Sequence, residues 1–162
     1  MIWFPAAAIF IAMIRNTCLA GLLALSLLAS CNRPSNPREF ADRFIAAETK
    51  AWATGSVDDL KALEDDAVVY HLPGLELTGW KAHEDYIVNG RRVTSDLKQN
   101  WKYLSGEGNH IVLGYDVSAV TKADDKNPSQ TTSGNYLFVL RINEGRVAEV
   151  WANGSTVNDR RD

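Results

Sequence analysis

The sequence predicts an α+β fold in which helices come first and antiparallel strands follow. Apolar residues recur at helical spacing between residues 40 and 63, whereas apolar and polar residues alternate from Asp96 onward. The most regular segment, residues 131–153, predicts two strands joined at residues 143–145, because Gly145 accepts the positive φ that a short hairpin turn often needs. Helices followed by a run of strands favour α+β over a parallel sheet.

The first 31 residues have the composition of an export signal. They contain no acidic residue and one basic residue, Arg15, which precedes an apolar run that ends in small residues. Residues 28–31, LASC, resemble the lipobox of bacterial lipoproteins, which implies cleavage before Cys31 and acylation of its thiol. The alternative is a transmembrane anchor, but Arg15 leaves two halves shorter than the roughly 20 residues that span a bilayer. Met13 makes a more ordinary signal start than Met1.

Cysteine and charge usage fit an exported domain. Cys18 lies in the signal and Cys31 is the acylation candidate, so the folded part has no thiol for a disulfide, a metal or nucleophilic attack. The chain has 17 Lys+Arg and 20 Asp+Glu without a basic cluster, which argues against a nucleic-acid partner. We expect a lipid-anchored protein of the cell envelope that faces the periplasm or the exterior.

The first helix should follow a short polar tether, residues 32–36. Asn36 can cap this helix, Pro37 already has a helical φ, and Gly55 ends it. A shorter helix should open at Ser56, which has the spacing of a capping box with Asp59. The apolar stripe of the first helix consists of Phe40, Phe44, Ala47, Ala51 and Trp52.

A strand and a third helix come next. Residues 67–71, AVVYH, are apolar and β-branched at their centre and predict a strand that stops at Pro73. Residues 75–77 predict a brief returning strand. The third helix should start at Thr78 or Gly79 and weaken at residues 89–90, Asn-Gly.

Strands make up the rest of the domain, which we place at residues 37–156. Apolar and polar residues alternate over residues 97–103, which predicts a strand, and residues 105–108 predict a turn. Residues 111–120 predict the returning strand, and a polar loop leads from it into the hairpin. The tail after Val157 is charged and is expected to be disordered.

The two strands of the hairpin each present one face. Tyr136, Phe138 and Leu140 share a face of the first strand by period-two alternation, and Val147, Glu149 and Trp151 share a face of the second. A register shift of one residue would turn the second set outward, with Glu149 in solvent and Trp151 under the first helix.

The order of these segments resembles the SnoaL-like group of the nuclear transport factor 2-like superfamily across residues 40–155. The resemblance rests on an aromatic first helix followed by GSVDDLKAL, DDAVVYH, GEGNHIVL and FVLRINEGRVAEVW. It implies a cone: a strongly curved antiparallel sheet packed against about three helices around a blind cavity. It also implies a homodimer, as in many relatives, and the group includes cyclases, isomerases, dehydratases and epoxide hydrolases beside domains without catalysis.

Asp96 and His71 are the candidate catalytic residues. The resemblance implies that both border the cavity, where lost hydration would raise the pKa of Asp96 into the range useful for an acid or base. His71 could orient Asp96 or a substrate carbonyl. The structural alternatives are a turn residue for Asp96 and a strand-end histidine for His71. SnoaL-like cyclases often have an aromatic residue with Pro or His immediately before this Asp, whereas this chain has Thr94 and Ser95 there.

Aromatic and acidic residues on the strands are candidates for substrate binding, although strand aromatics more often belong to a core. They are Tyr70, Trp101, Tyr136, Glu149 and Trp151. His83, beside Glu84 and Asp85, should lie on a solvated helix face, and His110 should have no role. Three scattered histidines give no metal signature, so we expect neither metal nor cofactor.

These observations lead to two hypotheses. The first is a lipid-anchored domain that holds a small apolar or carbonyl-containing molecule and, if an enzyme, acts as an isomerase, cyclase or lyase by proton transfer through Asp96. The second is a ligand-binding or dimeric assembly domain without catalysis.

Overall fold

The computed structural model describes residues 36–123 and 128–160. The first helix, α1 (Pro37–Thr54), has the predicted ends: the Asn36 side chain accepts hydrogen bonds from two backbone N–H groups of the first turn, and Gly55 terminates the helix with a φ of 84°. A short helix, α2 (Asp58–Lys61), follows without a side-chain cap. The predicted capping box at Ser56 is therefore wrong, and the helix begins two residues later.

The first strand is longer than its β-branched centre predicts. It forms β1 (Glu64–Leu72), which pairs antiparallel with the predicted returning strand, β2 (Leu75–Thr78). Helix α3 (Trp80–Val93) then continues through residues 89–90, where the sequence predicts weakening. The cost of one glycine in a helix is about 1 kcal/mol, which burial of the helix's apolar face outweighs.

Four long strands complete the domain: β3 (Thr94–Glu107), β4 (His110–Thr121), β5 (Gln130–Asn143) and β6 (Arg146–Arg160). β6 extends into the segment where the sequence predicts a disordered tail. The six strands form one sheet in the order β2-β1-β6-β5-β4-β3. Neighbouring strands are antiparallel except for β1 and β6, which are parallel.

A β-bulge in the β5–β6 hairpin sets the direction of the side chains on β6. Arg141 pairs with Glu149 and Ile142 pairs with Val147, so Ala148 is an extra residue. Val147 is fully buried, whereas Glu149 and Trp151 project from the opposite face of the sheet. The prediction that these three residues share a face is therefore wrong, because a bulge reverses the alternation beyond it.

The curved sheet packs its inner face against the helices, with α1 over β3 and α3 over β1. The predicted α+β class and cone-shaped roll are confirmed. Side chains from both layers build the core, and the largest fully buried apolar ones include Phe44, Leu60, Ile87, Ile111, Leu113, Leu140 and Ile142. This helix-on-sheet packing positions the groups described next.

The predicted signal peptide, with Met13 and the acylation candidate Cys31, lies outside the described residues. Within residues 36–123 and 128–160, no helix has the length and apolar character needed to cross a membrane.

Candidate functional site

A pocket of about 300 Å³ lies between the helices and the inner face of the sheet. Its lining comes from α1, α3, the β1–β2 turn and strands β3 to β6, and among the described residues none of the lining side chains is charged. The aromatic members of the lining are Trp52, Tyr86, Tyr115, Tyr136 and Phe138. Aliphatic, proline and threonine side chains complete it, so the pocket combines an apolar surface with a few hydroxyl groups.

The tyrosine hydroxyls supply hydrogen-bonding capacity in this aromatic pocket. Gln99 Nε2 donates to the Tyr115 oxygen over 3.0 Å, which leaves the Tyr115 O–H free to donate. The Tyr136 hydroxyl pairs with Thr156 Oγ1 at 2.5 Å. Burial raises the pKa of Tyr115 and of Tyr86, so both hydroxyls stay neutral and protonated across the physiological range.

An aromatic stack holds the Tyr115 ring in place. The Trp101 ring lies 4.0 Å from it in a stacked arrangement, and Phe138 meets the edges of both rings at 5.2 and 5.6 Å. On its other side Trp101 contacts Phe44 of α1 edge-on. The stack reaches from the core to the pocket and fixes the direction of the Tyr115 hydroxyl.

Four polar side chains form a second site, the interior cluster: Glu48, Glu64, Tyr70 and His83. Tyr70 donates to Glu64 Oε1 over 2.5 Å, and His83 Nδ1 lies 3.1 Å from Glu64 Oε2. On the other side of the imidazole, Nε2 lies 3.6 Å from Glu48 Oε1. The side chains of Glu48, Glu64 and His83 are at most 5% exposed. The cluster is thus a buried chain of ionisable groups that links α1, β1 and α3.

Burial dominates the protonation equilibria of this cluster. It raises the pKa of Glu48 to about 7, with the Glu64 charge adding to the shift and His83 opposing it. Burial alone would lower the pKa of His83, but the hydrogen bond with Glu64 and the charges of both carboxylates outweigh it, so this pKa is raised. Burial and the same carboxylates also raise the pKa of Tyr70, which stays a donor.

A third group, the outer-face cluster, lies on the other side of the sheet and consists of His71, Glu76, Arg141, Glu149 and Trp151. The His71 ring contacts Glu76 through Nδ1 at 3.1 Å and Glu149 through Nε2 at 2.9 Å, and it stacks on Trp151 at 5.7 Å. Arg141 donates two hydrogen bonds to Glu149 Oε2. The bonds from His71 and Arg141 lower the pKa of Glu149.

Asp96 borders a hollow that adjoins the aromatic pocket, since Trp52, Thr94 and Leu97 line both, but it does not line the pocket itself. It is exposed at a bulge near the start of β3, with a φ of 50°, and borders a shallow hollow beside Trp52 and Arg91. Three strands separate β3 from β1 in the sheet, but Leu72 and Leu97, the residues that follow His71 and Asp96, line the same pocket. The His71 side chain is engaged with Glu149 and Trp151 on the outer face and Asp96 is exposed, so no contact joins the two candidate catalytic residues among the described residues.

The five candidate binding residues are divided among three places. Tyr136 lines the aromatic pocket, and Trp101 supports it from behind. Tyr70 belongs to the interior cluster, where it is 2% exposed. Glu149 and Trp151 belong to the outer-face cluster, and Trp151 packs on His71 instead of under the first helix.

Sequence reasoning missed the interior cluster. The prediction that His83 lies on a solvated face is wrong, since it is 3% exposed. A signal was present: His83 shares a helical face with Trp80 and Ile87, three residues before it and four after. Glu48 likewise follows Phe44 by four residues and continues the apolar stripe of α1.

Solved structures share this fold. An NTF2-like protein from Burkholderia xenovorans has a TM-score of 0.59 at 12% identity over 74% of this chain and 88% of its own. TsrD from Streptomyces laurentii has a TM-score of 0.62 at 17% identity, covering 73% and 90%. An epoxide hydrolase of M. tuberculosis has a TM-score of 0.57 at 13% identity, covering 72% and 84%.

At these identities the likeness shows the fold alone. Comparison with curated proteins finds no match. The model of the SnoaL-like domain family matches residues 41–150, which is more than half of the sequence. The chain therefore belongs to the SnoaL-like domain family.

Proposed function

We propose that this domain binds a small, neutral, largely apolar molecule that carries an oxygen acceptor, and that the aromatic pocket is its site. The observation that carries this proposal is an uncharged aromatic lining with a free hydroxyl donor, that of Tyr115. The volume of about 300 Å³ lies at the lower end of the roughly 300–1,000 Å³ typical of ligand pockets. A molecule of one or two fused rings fits that size.

The polarity of the lining supports a neutral ligand over an ionic one. A charged group would lose its hydration in the pocket without gaining a partner of opposite charge, which is costly. A ketone, ester or ether oxygen needs only one donor, and the Tyr115 O–H is available for it. The apolar remainder of such a molecule would be held by Trp52 and Phe138.

Binding without turnover is better supported than proton transfer. An isomerase, cyclase or lyase mechanism needs an acid or base that faces the bound molecule. The described side chains that line the pocket offer tyrosine and threonine hydroxyls and no carboxylate or imidazole. Asp96 borders the adjoining hollow and His71 belongs to the outer-face cluster, and neither lines the pocket, so we assign them no catalytic step.

We also propose that the domain is held at a membrane of the cell envelope through a lipid on Cys31. This part rests on the lipobox-like residues 28–31 and the preceding apolar run. Metabolic labelling with an alkyne fatty acid should label the wild-type protein and leave Cys31→Ser unlabelled and unprocessed. Equal labelling of the two forms would contradict the anchor.

Calorimetric titration of the chain from residue 33 onward with 1-tetralone tests the pocket. Ala152, which is 9% exposed, lines the pocket, so Ala152→Phe should fill it and weaken binding by at least about tenfold. Ala46→Phe, on the exposed face of α1, is the matched control and should bind like the wild type. Unchanged affinity in a folded Ala152→Phe variant would contradict the proposed site.

A further inference from the structure

We propose that the interior cluster is a binding site for one divalent cation, with Zn²⁺ the best fit, held by Glu48, Glu64 and one ring nitrogen of His83. This site is separate from the aromatic pocket and does not depend on the ligand proposed there.

The three side chains lie close enough together to supply ligands to one cation. Each offers one ligand atom, and these atoms all lie within 4.8 Å of one another. Zinc binds nitrogen and oxygen at about 2.0–2.2 Å in a tetrahedral arrangement, which places neighbouring ligand atoms roughly 3.3 Å apart. Glu64 Oε2 lies 3.1 Å from Nδ1 of His83 and Glu48 Oε1 lies 3.6 Å from Nε2, so the two carboxylates contact different nitrogens of the ring. Binding of one cation at a single ring nitrogen therefore needs the other carboxylate side chain to turn toward that nitrogen.

The charge of the cluster also favours a cation. Two carboxylates lie in the interior, and their ion pairs among the described residues are with His83 alone, without lysine or arginine. Buried carboxylates are costly unless they are paired or coordinate a metal. A divalent cation would balance both.

An unsatisfied oxygen points in the same direction. Glu48 Oε2 is buried and has no hydrogen-bond partner among the described residues, and the whole side chain is only 5% exposed. The Trp52 side chain acts on this carboxyl group only weakly, since its hydrogen bonding is the smallest influence on the pKa of Glu48. A buried acceptor left without a partner costs about 1–3 kcal/mol or more when it is charged. Metal coordination would satisfy this oxygen.

Tyr70 provides the support that metal ligands usually have from a neighbouring group. Its hydroxyl holds Glu64 Oε1, which leaves Oε2 facing the imidazole. Hydrogen bonds of this kind orient the coordinating atom. The donor set of one imidazole and two carboxylates suits zinc, with manganese next, since imidazole and carboxylate together are typical ligands of these ions.

The site could not be recognised by spacing, because its three ligands come from α1, the start of β1 and α3. The expectation of no metal followed from the linear separation of the histidines. The outer-face cluster provides a control of the same composition: His71 also lies between two glutamates, but it is more exposed and Arg141 already neutralises Glu149.

Refolding with metal tests the proposal, because a buried site is best loaded during folding. The full chain in mild detergent would be stripped with a chelator, unfolded, refolded with Zn²⁺ or Mn²⁺, desalted and analysed for metal by mass spectrometry. We expect about one zinc per chain and a higher melting temperature than for the metal-free protein. Glu48→Gln, a neutral isostere that should fold, is expected to retain at least about tenfold less zinc, and His71→Gln should retain it fully.

Two outcomes would overturn the proposal. One is a refolded wild-type protein that retains neither ion, which would mean that protons alone balance the cluster. The other is zinc retained equally by wild type and Glu48→Gln, which would place it elsewhere. X-ray absorption of the zinc-loaded wild type adds a test that needs no variant: one imidazole with oxygen ligands agrees with the site, whereas two or more imidazoles contradict it.

Discussion

Oε1 of Glu48 lies 3.6 Å from Nε2 of His83, and both side chains are almost completely buried. The contact joins α1 to α3 in the layer above the sheet, and Glu64 extends it to β1. Three elements of the N-terminal half of the domain are thereby connected by ionisable groups. Their protonation and any bound cation are therefore linked to the stability of the domain.

The stability of the metal-free protein should fall as the pH rises from about 4.5 to 7. The pKa of Glu48 is raised from 4.5 to about 7 in the folded chain. Within this window the folded state keeps a proton that the unfolded state releases, so the free energy of unfolding decreases by about 1.4 kcal/mol per pH unit for one proton. The raised pKa of His83 continues this trend above pH 6.5.

Urea denaturation with a chelator present measures this effect against Glu48→Gln. The variant cannot titrate at this position, so its stability relative to wild type should increase toward pH 7. The lowered pKa of Glu149 acts in the opposite direction at acid pH and is common to both proteins, so it cancels in the difference. A difference that does not vary with pH would show that Glu48 does not retain its proton.

Tyr70→Phe should destabilise the domain by about 1.5–3 kcal/mol. The substitution removes the 2.5 Å hydrogen bond to Glu64 Oε1 and leaves a buried carboxylate oxygen without its donor. Chemical denaturation of the two proteins gives the value. Tyr136→Phe, which removes a more exposed hydroxyl, should cost less than about 1 kcal/mol. If the two variants lose the same free energy of unfolding, the hydrogen bond from Tyr70 to Glu64 contributes no more to stability than an exposed one.

The sequence predicted the larger features of this fold because local chemistry sets them. Asn36 and Gly55 end α1 through capping and a positive φ, and Gly145 forms the hairpin turn. Tyr136, Phe138 and Leu140 share the inner face of β5, as predicted. The prediction is confirmed because β5 pairs with β4 without a bulge over these residues.

The candidate site was less predictable because it depends on tertiary contacts. The bulge at Ala148 moved Glu149 and Trp151 to the outer face, and no residue type marks it in the sequence. His83 lies beside acidic residues on its helix, which conceals that it faces the core. The available signal was that Glu48 and His83 each occupy a position in the apolar stripe of their helix, which indicates a buried polar group.

Asp96→Asn should leave ligand binding by the aromatic pocket within about twofold of wild type. Asp96 does not line the pocket, and because it is exposed in the adjoining hollow, solvent screens its charge from a bound molecule. Titration with 1-tetralone measures the effect. A loss of tenfold or more would restore Asp96 as a functional residue.

Tyr115→Phe should remove the preference for a ligand with an oxygen acceptor. The wild type is expected to bind 1-tetralone more tightly than the hydrocarbon tetralin by about 1 kcal/mol, the net value of one hydrogen bond. The variant should bind both with similar affinity, since the aromatic surface is kept. Tyr103→Phe, which lies outside the pocket lining, is the control. A preference that persists in Tyr115→Phe would assign the donor to another group.

The most direct test of the central claim is the aromatic ¹³C spectrum of the protein during titration with 1-tetralone. We predict that signals of Tyr86, Tyr115 and Phe138 shift together and saturate, while those of Trp151 and His71 on the outer face stay unchanged. Shifts confined to Trp151 and His71, with the pocket signals unmoved, would contradict the account.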